Sequence, residues 1–247
     1  MNTTSNTTWS YSRVSCFQQC PKQYKFRYLD RLTTIPDQDP TNALYLGTAI
    51  HTGLEKDLDV ALESYASNYF MLTTEHYDEM IKLEELIPKC KAILPSGEHE
   101  VKIEANGYVG YIDLLADDWL IDYKYSNNWD TYLQSPQMHL YKFFANRPIN
   151  RLSYLFIPKI RIRRSKYETI RDFRLRLYNE LKYAEPKLVD VPYNEAKVRE
   201  WLQGVNDATN ATKFPKKESR LCRWCEFYDA CLKGETWMLY NKEGGKQ

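Results

Sequence analysis

Apolar residues in the first half of the chain recur every three or four positions. Leu46, Ile50 and Leu54 lie on one face at this spacing, which predicts a long helix over residues 44–72. An aromatic-rich segment near the start has helical spacing as well and is interrupted by a proline. The pattern predicts further helices over residues 11–28 (with a break at Cys20), 75–93, 134–146, 168–184 and 194–207.

The apolar spacing shortens to every second residue near the middle of the chain. Val101, Ile103 and Ala105 alternate with polar residues, as in a strand with one face in water. Ile160 and Ile162 alternate with basic residues and predict a strand beside a buried apolar one. The remaining predicted strands cover residues 108–116, 119–125 and 152–157.

Helices, three strands, a helix, further strands and further helices follow one another along the chain. This order predicts a single α/β domain over residues 10–235, with helical additions at both ends. Residues 1–9 are polar and are expected to be unstructured, and residues 236–247 are expected to form a tail. Since no signal peptide and no apolar run of roughly 18 residues are present, we expect a cytoplasmic protein without membrane contact.

Composition and charge set limits on the function. Hydrophobic residues make up 43% and charged residues 27% of the 247 residues, which is ordinary for a globular protein. The formal net charge is +1, so a nucleic-acid surface would have to come from local clusters of basic residues. Such clusters lie at 159–176 and 213–223, and we expect four residues of the first to contact DNA: Arg161, Arg163, Arg164 and Lys166.

Two aspartates and a lysine lie on two neighbouring predicted strands. Strand alternation places Asp113 on one face with Leu115, and Asp122 on one face with Lys124. If the strands pair as a hairpin, the three charged groups converge. Two carboxylates can hold a hard cation such as Mg²⁺ or Mn²⁺, the carbonyl of Tyr123 offers another oxygen, and Lys124 can orient water or stabilise charge on a phosphate. The alternative is a hairpin that merely carries surface charges.

Three of the six cysteines form a close set. Cys222, Cys225 and Cys231 give three soft ligands within ten residues, a spacing typical of zinc or iron–sulfur sites. Both groups prefer four protein ligands, so a further ligand is expected elsewhere in the chain. In a reducing compartment, disulfides are the weaker interpretation.

Five short motifs, in order, resemble those of the RecB-like PD-(D/E)XK nucleases. Gly110-x-x-Asp113 followed by Asp122-Tyr-Lys124 resembles their catalytic motif. Cys20-Pro-Lys-Gln-Tyr24 resembles the N-terminal cysteine motif, and Gly47-Thr-Ala-Ile-His51 resembles the histidine motif. Gln137-Met-His-Leu-Tyr141 resembles the Gln-x-x-x-Tyr motif, and Cys222-Arg-Trp-Cys225 with Cys231 resembles the C-terminal cysteine triplet. The chain is also similar to the CRISPR adaptation exonuclease and to AddB-type nuclease domains.

The resemblance implies a fold and a set of metal ligands. The fold would be a restriction-endonuclease-like α/β core, in which helices flank a mixed central sheet. His51 would join Asp113 and Asp122 as a ligand of Mg²⁺ or Mn²⁺. An acid on the preceding strand, either Glu100 or Glu104, would lie near the metal.

The resemblance also assigns roles to residues outside the metal site. Gln137 and Tyr141 are four residues apart on one helix face and would contact DNA or support the active site. We expect Gly47 to let the helix of His51 approach the sheet closely. The fourth cysteine would be the one before proline, and a [4Fe–4S] cluster would then join the two ends of the domain through Cys20, Cys222, Cys225 and Cys231.

The implied activity is hydrolysis of DNA by a Mg²⁺- or Mn²⁺-dependent exonuclease that acts on ends or single strands, in recombination, repair, replication or CRISPR adaptation. The sequence lacks the Gly-x-x-x-x-Gly-Lys loop of helicases, so a separate helicase or recombination protein is an expected partner. One alternative is a non-catalytic DNA-binding protein with the same fold. Another is a zinc-stabilised RNA-processing protein. Loss of Asp113, Asp122 or Lys124 would favour the first alternative, but all three are present.

Overall fold

A computed structural model describes residues 8–241, so the expectations for residues 1–7 and 242–247 lie outside the described residues. Within this part of the chain, no helix is both long enough and apolar enough to cross a membrane. The helices are α1 (Tyr11–Gln19), α2 (Pro21–Tyr24), α3 (Ala43–Glu55), α4 (Leu58–Ala66), α5 (Thr74–Ile93), α6 (Asp130–Leu133), α7 (Gln137–Phe144), α8 (Ile170–Lys182) and α9 (Glu195–Asn210). The strands are β1 (Leu32–Thr34), β2 (Glu98–Ala105), β3 (Tyr108–Ala116), β4 (Trp119–Tyr125), β5 (Arg151–Ile157), β6 (Lys187–Asp190) and β7 (Leu239–Asn241).

Five of these strands form one sheet in the order β2-β3-β4-β5-β6. β2, β3 and β4 are antiparallel neighbours, whereas β4 and β5 run parallel and are connected through α6 and α7. β6 pairs antiparallel with the far edge of β5. A mixed central sheet flanked by helices confirms the predicted fold class.

Apolar clusters cover both faces of the sheet. On one face, Ile121 and Leu155 pack against α3, α4, α5 and α8. On the other, Leu120 and Leu152 pack against α7 and α9. Because successive residues of β4 are buried on opposite sides, any charged side chain on this strand lies in an apolar environment and requires a partner.

Two predicted elements were wrong. The helix expected over residues 44–72 is divided into α3 and α4. The carboxylate of Asp57 accepts the N–H of Val60 at 2.9 Å and caps the start of the second helix. The strand expected through Ile160 and Ile162 does not form. Pro158 follows β5 and has no N–H to donate to a ladder, and β6 occupies the edge of β5 instead.

The expected role of Gly47 was also wrong. A Cβ atom at Gly47 would meet nothing within 4 Å, so this glycine does not bring α3 close to the sheet. The tightly packed glycine of α3 is Gly53, where a Cβ would lie 2.5 Å from Cδ1 of Ile87 and 3.0 Å from Cβ of Ala61. α3 is therefore fixed by close packing against α4 and α5.

Both ends of the described chain are anchored to the fold. Trp9, in the segment expected to be unstructured, donates its N–H to the carbonyl of Gly107 at 2.7 Å and accepts the N–H of Val109 at 2.8 Å. β7, in the expected tail, pairs antiparallel with β1. Nε of Arg27 donates to Oε1 of Glu226 at 2.7 Å, which links the first helical region to the C-terminal cysteine segment.

Candidate active site

The candidate site lies where β3 and β4 separate. The two strands pair over residues 114–116 and 119–121, and their ladder ends before Asp113. There a side chain replaces the backbone acceptor, because the N–H of Tyr123 donates to Oδ2 of Asp113 at 2.6 Å. The carboxylate thus bridges the diverging strands, and its other oxygen faces α3.

The alternation of β3 breaks at Asp113. Leu115 packs with Tyr108 and Ile112, so it does not share a face with Asp113 and the expected alternation was wrong here. Glu100 lies opposite Asp113 in the β2–β3 register and has a φ of +50°. This left-handed conformation costs a non-glycine residue on the order of 1–3 kcal/mol, and such strain is concentrated at functional sites.

His51 reaches Asp113 from α3. Its Nδ1 atom lies 3.1 Å from Oδ1 of Asp113, and its ring meets that of Tyr123 nearly edge-on, with the centroids 5.5 Å apart. Burial lowers the pKa of His51, but the hydrogen bond and the negative charge of Asp113 outweigh this effect and raise the pKa above its ordinary value. A histidine–carboxylate pair therefore joins α3 to the sheet at this point.

A set of possible metal ligands surrounds this pair. Among residues 8–241, His51, Glu100 and Asp113 are the one group of three or more histidine, cysteine or acidic residues whose ligand atoms all lie within 4.8 Å of one another. Glu104, the other acid considered from the sequence, is exposed and pairs with Lys102 instead. The acid of β2 at the site is therefore Glu100.

Asp122 and Lys124 form a second charged pair on β4. Asp122 is only 1% exposed, and this burial raises its pKa above the usual range, although the charge of Lys124 opposes the shift. Burial lowers the pKa of Lys124, but the charges of Asp122 and Asp113 outweigh it and keep the ammonium protonated. Oδ2 of Asp122 thus faces Lys124, and Asp122 is not one of the three residues whose ligand atoms lie within 4.8 Å of one another around His51, so its predicted role as a metal ligand stays a prediction.

Two tyrosine rings enclose the ammonium of Lys124. Its Nζ atom lies 5.5 Å from the ring centroid of Tyr132 and 5.8 Å from that of Tyr154. Sequence reasoning did not identify these two rings, because a tyrosine on a buried strand or a short helix gives the same signal as any core aromatic residue. They restrict the orientation of the ammonium and reduce its exposure to water.

Gln137 and Tyr141 share a face of α7, as the sequence predicted. Nε2 of Gln137 donates to the hydroxyl of Tyr141 at 2.8 Å. The Tyr141 ring packs on Gly110, where a Cβ would lie 2.8 Å from Cε1 of Tyr141 and 2.5 Å from the hydroxyl of Tyr108. Burial, with the nearby charge of Asp122, raises the pKa of Tyr141 well above its usual range. The pair therefore lies behind the site, while its contact with DNA remains a prediction.

The cysteine pocket lies between the two ends of the domain. All six cysteines are free thiols, and Cys16 and Cys90 are buried outside this pocket. Burial raises the pKa of the Cys225 and Cys231 thiols above their ordinary value. The pocket lining includes the four cysteines predicted to act together and three aromatic rings: Cys20, Cys222, Cys225, Cys231, Phe26, Phe227 and Tyr228.

The residues expected to contact DNA lie on the irregular segment 158–169 between β5 and α8. Arg161, Arg163, Arg164 and Lys166 all line one cleft. None of them belongs to the group around His51.

Comparison with known proteins covers nearly the whole chain. The family model of the PD-(D/E)XK nuclease superfamily matches residues 8–232. A search of curated proteins found no match. The matched region includes the charged residues of β3 and β4, the histidine of α3 and the cysteine pocket. The protein therefore belongs to the PD-(D/E)XK nuclease superfamily.

Proposed function

We propose that this protein is a Mg²⁺- or Mn²⁺-dependent deoxyribonuclease that removes nucleotides from DNA ends or single strands. Membership of the superfamily implies metal-dependent nuclease activity. The observation that carries the proposal is the meeting of His51, Glu100 and Asp113 at the end of the strand pair that also holds Lys124. Such a combination of cation ligands and a nearby positive charge can catalyse hydrolysis of a phosphodiester.

The residues fit a hard divalent cation. Glu100 and Asp113 offer carboxylate oxygens and His51 offers an imidazole nitrogen, all within 4.8 Å of one another. Asp122 and the carbonyl of Tyr123 are the further ligands that we propose on β4. A divalent cation bound there would polarise a phosphate oxygen and lower the pKa of a water molecule.

Lys124 supplies a positive charge that is already positioned. Its ammonium is paired with Asp122, and its side chain is only 15% exposed, so the charge acts in a weakly screened environment. We propose that Lys124 stabilises the negative charge that develops on the phosphate or orients the attacking water. Asp122 would hold the ammonium in place, and Gln137 with Tyr141 would support the strands from behind.

We also propose that the cysteine pocket holds a [4Fe–4S] cluster with a structural role. In a tetrahedral zinc site, bonds of ~2.3 Å bring the sulfur atoms to within about 4 Å of one another. The pocket brings Cys20 together with Cys222, Cys225 and Cys231, and four thiolates are a ligand set that such a cluster takes as well. Phe26 and Phe227 line the pocket and would limit access of water to the cluster.

The cellular role that we propose is processing of DNA ends in recombination, repair, replication or CRISPR adaptation. An exonuclease of this kind requires ends or unpaired strands, which other proteins must generate. A separate helicase or recombination protein is therefore the partner that we propose, and DNA is the substrate.

The proposal is tested with end-labelled linear single strands, blunt duplexes and circular single strands in the presence of Mn²⁺. The wild-type protein should shorten the linear DNA from an end and leave the circles intact. Asp113→Asn should lower the rate by at least about 100-fold, because it weakens both the cation site and the contact with His51. The matched control is Asp117→Asn, in the exposed turn after the same strand, which should retain full activity.

Each contrary result removes a different part of the proposal. Circles cut as fast as linear strands would identify an endonuclease. Full activity of Asp113→Asn would place the active site elsewhere, and a wild-type protein that cleaves no DNA under these conditions would contradict deoxyribonuclease activity.

A further inference from the structure

A wide cleft lies between the irregular segment 158–169 and α5. Its lining includes Tyr125, the last residue of β4, and Leu46 from α3, so it reaches the two elements that carry Lys124 and His51. The cleft has a volume of about 1100 Å³. This exceeds the usual size of a small-molecule pocket and is large enough for part of a polymer.

The charges of the cleft favour an anion. Six cationic and four anionic side chains line it. The two most buried acids, Asp78 and Glu79, are already neutralised: Nε of Arg174 donates to Asp78 at 2.8 Å, and Lys82 pairs with Glu79. On the opposite wall, by contrast, four cations make no ion pair with any carboxylate in the described part of the chain: Lys159, Arg161, Arg163 and Lys166.

The basic wall is held in place although it has no regular secondary structure. Asn127 fixes its start, since its amide donates to the carbonyl of Lys159 at 2.9 Å and its side-chain oxygen accepts the N–H of the same residue at 2.7 Å. Arg176 fixes its end by donating to the carboxylate of Glu168 at 2.7 Å and to the carbonyl of Arg163 at 3.0 Å. The unpaired cations therefore project from a positioned segment.

An exposed aromatic ring completes the cleft. Trp224 lines it and has 77% of its surface exposed, so this large aromatic ring is available to a ligand in the cleft. Trp224 lies between Cys222 and Cys225, so a group bound in the cysteine pocket would fix the position of this ring. A flat ring beside unpaired cations is the arrangement by which proteins bind unpaired bases along a phosphate backbone.

We propose that this cleft binds single-stranded DNA, with phosphates against Arg161, Arg163 and Lys166 and one unpaired base stacked on Trp224. The inference rests on the proposed nuclease function, because the strand bound in the cleft would be the substrate of that nuclease. It makes the cysteine pocket a support for substrate binding as well as a link between the chain ends. A blunt duplex has no unpaired base for this ring and should not depend on it.

The test compares Trp224→Ala with Trp237→Ala, which removes another exposed tryptophan of the C-terminal segment that does not line the cleft. Binding to a fluorescein-labelled (dT)₂₀ strand and to a blunt 20-base-pair duplex is measured by anisotropy in Ca²⁺ without Mg²⁺ or Mn²⁺. Trp224→Ala should weaken binding of the single strand about tenfold and that of the duplex less than twofold. Trp237→Ala should change neither, and Trp224→Phe should retain most of the single-strand affinity.

Wild-type affinity of Trp224→Ala for (dT)₂₀, or an equal loss on the duplex, would overturn the proposal. So would an equally tight interaction of the wild-type protein with (rU)₂₀, because the site would then not be specific for DNA. Thermal unfolding of each variant separates loss of binding from loss of folding. Cleavage of DNA by the wild-type protein is scored independently, so failure of the cleft and failure of the nuclease proposal give different results.

Discussion

The candidate active site and the cysteine pocket are built in opposite ways. The site takes Asp113, Asp122 and Lys124 from a stretch of twelve residues, and charged partners hold one another in place. The pocket joins Cys20 to a cysteine segment about two hundred residues later, and its thiols are free. The charges of β3 and β4 therefore depend on local strand geometry, although α3 adds His51 and β2 adds Glu100. The pocket, by contrast, depends entirely on closure of the chain.

Substitutions in the site should therefore affect mainly the chemistry, and substitutions in the pocket should affect mainly the stability of the fold. Removing a ligand at the site changes a few contacts at the sheet end and should act mainly on cation affinity or rate. Opening the pocket releases a very long loop, so it should act mainly on the free energy of unfolding. Substitutions in the two regions should therefore change different measurements.

Cys222→Ala should lower the free energy of unfolding by about 2–5 kcal/mol, as loss of a cross-link between distant segments does. The reason is that the proposed cluster would no longer cross-link the N-terminal helices to the cysteine segment, which would leave weaker contacts such as that of Arg27 with Glu226. Urea unfolding of anaerobically purified protein measures the change, and the visible absorption of the proposed cluster should disappear. Cys90→Ala, a buried thiol outside the pocket, is the control and should keep the absorption. Unchanged stability of iron-free protein would show that the pocket does not link the chain ends.

Glu100→Gln should weaken Mn²⁺ binding about 10- to 100-fold without a comparable loss of stability. The substitution removes one of two carboxylates in the group of three ligands. Isothermal titration calorimetry with Mn²⁺ measures the effect. Glu104→Gln is the matched control on the same strand, because Glu104 is exposed and pairs with Lys102. A larger loss of Mn²⁺ affinity in Glu104→Gln would identify Glu104 as the ligand. It would also contradict a functional role for the left-handed backbone at Glu100.

Two glycines of α3 should respond in opposite directions. Gly53→Ala should destabilise the protein by about 1–3 kcal/mol, because the added Cβ meets Ile87 and Ala61. Gly47→Ala should stabilise it by about 0.5–1 kcal/mol, because the position is helical and open. Thermal unfolding measures both changes, and neither variant should alter the iron content. Destabilisation by Gly47→Ala would instead support the expectation that Gly47 lets α3 approach the sheet closely.

The sequence predicts much of the charged site because its residues are close together and have a strand period. Asp122 and Lys124 pair on β4 as two residues of one face. The alternation fails at Asp113, since a side chain replaces a backbone acceptor there and the strand turns. The alternation of β2 does not distinguish Glu100 from Glu104, because the difference lies in the register with β3: Glu100 is level with Asp113, whereas Glu104 is opposite Val109.

Distant parts of the fold are harder to predict from local patterns. The break between α3 and α4 depends on one capping aspartate, and β6 is too short to show a period. The pairing of β1 with β7 joins segments about two hundred residues apart, which no local spacing encodes. The meeting of Cys20 with the C-terminal cysteines was expected only through a family resemblance, and the pocket lining agrees with it.

The most direct test of the account is the rate of DNA cleavage by Lys124→Met at saturating Mn²⁺. This substitution removes the ammonium but keeps an apolar side chain between Tyr132 and Tyr154. We predict a rate on the order of 10²–10³-fold below wild type, with DNA binding nearly unchanged. Because Asp122 loses its buried partner, the variant should also unfold at a lower temperature, so cleavage is measured where thermal unfolding shows that it is still folded. The matched control, Lys102→Met on the exposed part of β2, should cleave at the wild-type rate. Equal rates for the wild type and Lys124→Met would contradict the central claim that this site hydrolyses DNA.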